Sequence, residues 1–204
     1  MDFLFLGFFT GLSLILAIGA QNIFVIEQGL KKQYVFLVCI ICSVSDLILI
    51  FCGILLFHFF HQYFNLFIEL TLNILLIIFL IHFIYSKIKS IKKNISFNSE
   101  VKNTSKIDIS LKTLGFTYLN AHVYSDTVFF LGNFSKNFLL GEKIFFGVGA
   151  SIASFIFFFL LGYLSTFFSK YAQNDKIWKS INLFIICFMS LLTIYIIRET
   201  INFL

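Results

Sequence analysis

Six long apolar runs separated by short polar breaks dominate the chain, at 3–26, 34–57, 66–85, 114–134, 144–169 and 181–203. Each approaches or exceeds the roughly 20 residues a helix needs to cross about 30 Å of hydrocarbon. The first run carries no charge and begins Met1-Asp2, with no Lys or Arg before Lys31. A secretory signal has a basic start, so this run reads as a retained helix. The one extended polar stretch, 86–112, holds Lys87, Lys89, Lys92, Lys93, Lys102, Lys106 and Lys112 against Glu100 and Asp108. The pattern predicts an all-α polytopic membrane protein of six transmembrane helices, with a first three-helix half (1–85), a basic linker (86–112) and a second three-helix half (113–204). An odd number of helices per half would set the halves in opposite orientations, as inverted repeats.

Composition narrows this picture. Of 204 residues, 59% are hydrophobic and 12% charged, against about 25% charged in a soluble domain. Six spans use about 120 positions, which leaves no room for an appended catalytic domain of ordinary size. The 31 Phe and the absence of Pro read as a compositional bias and receive no functional weight. A net charge of +5 could suggest nucleic acid, but the lysines lie mostly between apolar runs, where membrane anchoring explains them. Lys31, Lys32, the seven linker lysines, Lys170, Lys176 and Lys179 fall on one side of an alternating six-helix path. Only Lys136, Lys143 and Arg198 fall on the other. The linker is therefore expected in the cytoplasm and both termini outside. Alternatively, the polar cluster in the first run makes it shallow or re-entrant, leaving five crossings and a cytoplasmic N-terminus.

Two carboxylates stand out, Asp46 inside the second run and Asp126 inside the fourth. A carboxylate at the centre of a membrane helix costs about 2.5 to 3.5 kcal/mol on insertion scales, so each needs compensation. They are either protonated structural glue or part of a transport site. At helical spacing Cys39, Cys42, Ser43, Asp46 and Gly53 share one face, which turns Asp46 toward protein or water. Asn120, His122, Tyr124 and Asp126 wrap most of their helix with polar groups, which at depth need a cavity or polar neighbours. Gly19-Ala20-Gln21-Asn22 would let the first helix open and aim backbone groups and amides at a ligand. The plainer reading is an interfacial helix end, because Glu27, Gln28 and Gly29 follow. Gly147, Ala150, Ser151, Ser154, Gly162 and Ser165 form a packing face on the fifth helix, and Gly7 and Gly11 one on the first. Cys39-Ile40-Ile41-Cys42 spells a redox motif but lies within a membrane helix, and all four cysteines lie in apolar runs, so no disulfide framework is expected. His58, His61, His82 and His122 lack metal-ligand spacing on a shared face, apart from the close pair His58 and His61. Arg198-Glu199 is an end-of-helix anchor.

Taken together, Ile18-Gly19-Ala20-Gln21-Asn22-Ile23-Phe24-Val25, Gln28-Gly29-Leu30 and Ser43-Val44-Ser45-Asp46 resemble the LysE family of amino-acid exporters, and within it the lysine and arginine branch. In the second half, Thr117-Tyr118-Leu119-Asn120-Ala121-His122-Val123-Tyr124-Ser125-Asp126-Thr127 is similar to that branch's Asn-Pro-His-Val-Tyr motif with its following Asp. Ala121 stands where the family has proline, which leaves the fourth helix freer to run unbroken; either Asn120 and the surrounding packing keep the interruption at Asn120-Ala121-His122, or the site geometry and substrate range differ from the family's. The related homoserine and threonine branch carries Pro-Gly-Pro in the first helix, where this chain has Gly-Ala-Gln-Asn.

The resemblance implies export of L-lysine or L-arginine across a bacterial inner membrane, coupled to the proton or electrical gradient. Neutral amino acids or a metal cation such as cadmium are the alternative cargo. Gln21, Asn22, Asp46, Asn120, His122, Tyr124 and Asp126 are the candidates for substrate binding or proton coupling. One aspartate could carry the proton and the other the substrate, or both could meet the cationic group. A bidentate contact would favour arginine. The lipid bilayer and a cationic amino acid are the expected partners. Neither nucleic acid, nor a cofactor, nor an enzymatic reaction is expected, and homo-oligomerisation is left open.

Overall fold

The structure is a computed structural model that describes residues 2–16, 19–63, 66–92, 105–172 and 174–202. Every element among them is helical: α1 (Asp2–Ile15), α2 (Ala20–Lys31), α3 (Val35–Tyr63), α4 (Leu66–Lys92), α5 (Lys106–Tyr118) and α6 (Ala121–Tyr124). A π-helical segment, Ser125–Phe130, then leads into α7 (Leu131–Phe134), α8 (Leu140–Phe167), α9 (Ser169–Ala172) and α10 (Asp175–Asn202). The polar stretch 86–112 is helical at both ends. α4 runs on to Lys92, and Ser105 caps α5 by accepting from the Asp108 backbone N–H. Its centre, 93–104, lies outside the described residues.

Val35–Phe57, Leu140–Phe167 and Lys176–Arg198 are each long and apolar enough to cross a membrane. α1 and α2 meet the same measure only as a pair, bent by 83° at their break. The fourth apolar run is interrupted at Asn120 even without proline, since α5 ends at Tyr118 and a new helix starts at Ala121. Outward faces are apolar throughout: Phe5, Phe9, Ile48, Ile78, Leu164, Leu183 and Leu191 are all exposed. In water such a belt would be an aggregation liability, whereas in a bilayer it is the lipid contact.

Inside, two kinds of seam hold the helices. α4 buries Asn73, Leu76, Leu80 and Phe83, while α10 buries Asn182, Ile185, Met189, Thr193, Ile196 and Thr200. Steps of three and four give each helix one narrow stripe, and the two helices pack together along it. The α1–α8 seam depends on missing side chains instead. A Cβ on Gly7 would strike the Phe146 carbonyl, one on Gly149 the Leu4 carbonyl, and Gly11 faces the Ala150 backbone. Lipid supplies no hydrophobic drive between helices, so this backbone-to-backbone approach provides the dispersion contact that does. The expected Gly7 and Gly11 face meets α8 through Phe146 and Ala150, whereas Gly147 and Gly162 of the expected α8 face pack against α3 and α2, and the α1 seam uses Gly149 instead. α3 meets the π-helical segment likewise, with Gly53 against Val128 and Thr127, and Gly132 against the Gly53 carbonyl.

α2 is the innermost element. All its residues except Ile26 are buried, along about 18 Å of helix. At its far end Glu27 and Lys31 form a buried ion pair of 2.6 Å, with the Lys31 ammonium 5.5 Å from the Trp178 ring centre. Lys31 is thus not the exposed loop anchor its position suggested, and the exposed one is Lys32.

The seam yields a stability prediction. Gly149→Ala should destabilise the protein by about 1 to 3 kcal/mol through backbone overlap. Gly141→Ala, where a Cβ meets nothing, should stay within about 0.5 kcal/mol of the parent. Thermal melting in detergent reads both, and equal melting temperatures would contradict the seam.

Candidate functional site

Two helix breaks meet at the middle of the molecule, and each exposes polar backbone. α1 ends at Ile15 and leaves carbonyls without helical partners. The Asn22 side-chain amide donates to the Ile15 carbonyl at 3.2 Å from the first turn of α2. α5 ends at Tyr118, and the Tyr124 hydroxyl donates to the Tyr118 carbonyl at 3.0 Å. Both breaks are therefore closed by one device, a side chain six or seven residues downstream that caps the last carbonyl of the helix before. The second break occurs without proline. Leu119 continues the α5 pattern to the Gly115 carbonyl, and the Val123 N–H turns back to the Asn120 carbonyl at 3.1 Å. Asn120 and the local packing keep the interruption that proline would otherwise impose.

A cavity of about 340 Å³ lies between the breaks. Gly19, Ala20, Gln21 and Asn22 line it from the start of α2. Asp46 and Ile50 come from α3, Leu76 and Leu80 from α4, Asn120 and Val123 from the second break, and Asp126 and Thr127 from the π-helical segment. Phe158, Tyr195 and Ile196 contribute from α8 and α10. π-helical turns are rare and concentrate at functional sites, and this one carries Asp126. Five of the seven candidates, Gln21, Asn22, Asp46, Asn120 and Asp126, thus share one cavity. Tyr124 does not line it and serves as a cap, while the His122 side chain lies outside the described residues.

Burial sets the electrostatics. Asp46 is 3% exposed and accepts a 2.8 Å hydrogen bond from Ser154 of α8. Gln21 is 7% exposed, and its side-chain nitrogen has no hydrogen-bond partner. α2 begins at Gly19 with no side-chain cap, so its first N–H groups and positive dipole end stand at the cavity wall. The cavity thus brings together the buried Asp46 carboxylate, the half-buried Asp126, the Gln21 amide nitrogen and the uncapped start of α2.

Ser154, Thr127 and Tyr195 were not singled out as site residues in the sequence. Ser154 read as one of several small packing residues, and nothing local marks it otherwise. Cys39 donates to the Phe158 carbonyl at 3.2 Å, and the cysteines are free thiols. Among the described residues no three His, Cys, Asp or Glu side chains gather as a metal cage would require. The side chains of His58 and His61 lie outside the described residues, and His82 is exposed.

Residues 12–200 match the LysE type translocator family. The chain belongs to the LysE type translocator family. It is 31% identical over 180 residues to the arginine exporter protein ArgO of Pectobacterium atrosepticum, covering 88% of both chains. It is 30% identical over 200 residues to ArgO of Salmonella typhimurium, covering 98% of this chain and 95% of that one. No solved structure matches it. As a LysE type translocator, this chain is a multi-pass membrane transporter and not an enzyme.

The cap makes Tyr124 testable apart from transport. Tyr124→Phe should lower stability by about 1 kcal/mol, the cost of removing the donor from a part-buried helix-end carbonyl. Substrate KM should stay within about twofold, since no contact to cargo is lost. A large KM change at unaltered melting temperature would instead make Tyr124 a binding residue.

Proposed function

We propose that this protein exports cationic amino acids, arginine foremost and lysine with it, from the cytoplasm across a bacterial inner membrane. The observation that carries this reading is the cavity, where Asp46 and Asp126 stand with Gln21, Asn22 and Asn120 beside the open start of α2. A cavity of a few hundred Å³ is the size of a small-molecule site. Its carboxylates suit a guanidinium or ammonium group through charge-assisted hydrogen bonds. The first N–H groups of α2 suit the α-carboxylate. Neutral amino acids would bring no cationic group to the buried Asp46 or the half-buried Asp126. The names of the similar exporters agree with arginine as cargo.

The protein is built as two inverted halves with six crossings, the broken runs counting as one crossing each. The packing supports this. α1 and α2 lie on α8, the π-helical segment and α7 lie on α3, and α4 lies on α10. Exchanging the first three runs for the last three leaves that set of partners unchanged. Each broken helix thus rests on the second helix of the other half, and the cavity sits where the halves meet. The linker faces the cytoplasm, as its lysines require. Transport draws on the proton or electrical gradient. A carboxylate that releases cargo must be recharged by another cation, and a proton serves that role at Asp46 or Asp126.

Counterflow in proteoliposomes tests the proposal, with labelled arginine and lysine and unlabelled competitors. Wild-type protein should exchange both, with leucine and divalent metal ions failing to compete. Asp46→Asn and Asp126→Asn should each reduce exchange at least about 30-fold, the loss of about 2 kcal/mol when one partner of a buried charge pair is removed. Folded wild-type protein that exchanges no basic amino acid would overturn the proposal.

A further inference from the structure

Hydroxyl side chains inside these helices have a default occupation. Ser151 donates to the Gly147 carbonyl, Ser165 to Leu161, Thr113 to Ile109, Thr193 to Met189 and Thr200 to Ile196, each to the residue four before it in its own helix. Such back-bonding satisfies the hydroxyl without any neighbour. Ser154 departs from it. Its hydroxyl is fully buried, leaves α8 and donates at 2.8 Å to Oδ2 of Asp46 on α3.

We infer that Ser154 is a positioning residue for transport, fixing the Asp46 carboxylate in the cavity and in the orientation that receives the substrate cation. The inference rests on the cationic-cargo reading above. Three observations carry it: the bond joins α3 to α8, it engages an aspartate that lines the cavity, and it replaces a back-bond that Ser151, one turn away on the same face, retains. With Oδ2 held by Ser154, the carboxylate is fixed before cargo arrives. Binding then does not have to order it. The same bond ties α3 to α8, two helices that each support a broken helix of the other half. Occupation of Asp46 is thereby reported to the interface between them.

The experiment compares Ser154→Ala, Ser154→Thr, Ser154→Cys and Ser151→Ala with wild type by arginine counterflow, fitting KM and maximal rate separately, and by thermal melting. Ser154→Ala should raise KM about tenfold, the loss of one hydrogen bond to a charged group, with the maximal rate little changed. Ser154→Thr should restore KM toward wild type, Ser154→Cys should fall between, and Ser151→Ala should leave KM unchanged. Wild-type KM in Ser154→Ala, or equal KM effects in Ser154→Ala and Ser151→Ala, would overturn the positioning role. Should Ser154→Ala not fold, a KM for Ser154→Cys equal to wild type does the same. Failure of wild type itself to exchange arginine would strike the cargo reading, a separately recognisable result.

Discussion

Backbone polar groups inside a bilayer must find partners within the protein, and the architecture follows from meeting that demand twice near the same point. An unbroken helix meets it automatically. A broken one strands carbonyls at one end and N–H groups at the next start. Here the stranded ends at Ile15 and Tyr118 are each closed by a side chain reaching back, Asn22 in one case and Tyr124 in the other. At the cavity, the start of α2 has no side-chain cap and the side-chain nitrogen of Gln21 has no hydrogen-bond partner. The capped ends make the breaks stable, and the uncapped start makes them useful.

The glycine seams serve the same end. A broken helix has fewer backbone bonds holding it and needs close support from an intact neighbour. Gly7, Gly11 and Gly149 bring α1 into backbone contact with α8, and Gly53 and Gly132 bring the π-helical segment and α7 onto α3. Asp46 and Ser154 join those two supporting helices by a side-chain hydrogen bond beside the cavity. The buried Glu27–Lys31 pair and the aromatic contact of Phe24 with Phe116, ring centres 4.9 Å apart, fix the far part of α2. Support, cavity and charge are thus one arrangement.

Much of this could be read in the chain. The buried face of α3 was legible because Cys39, Cys42, Ser43, Asp46 and Gly53 repeat at helical spacing, and intramembrane carboxylates mark themselves by their cost. The first break was legible in Gly19-Ala20-Gln21-Asn22. The second was legible as an interruption at Asn120-Ala121-His122, but the Tyr124 cap and the π-helical turn that hold it without proline were not. The interruption rests instead on Asn120, the Tyr124 cap and a π-helical turn, which depend on tertiary neighbours. Ser154 was illegible for a similar reason: a small residue on a helix face looks the same whether it packs or donates across 108 positions of sequence. Lys31 looked like a loop anchor, although its i,i+4 spacing from Glu27 already offered the ion pair.

The central claim is that cargo occupies the cavity between the two breaks, and site protection tests it most directly. Val123 lines that cavity and is only half-buried, so Val123→Cys places a thiol in it. Cys39 and Cys42 are buried, and replacing Cys52 and Cys187 by serine removes the more accessible native thiols. Arginine should slow labelling of this thiol by a small methanethiosulfonate reagent, half-maximally near the KM for counterflow, while leucine should not. Labelling that is unchanged by saturating arginine, in a variant that still transports it, would contradict the account.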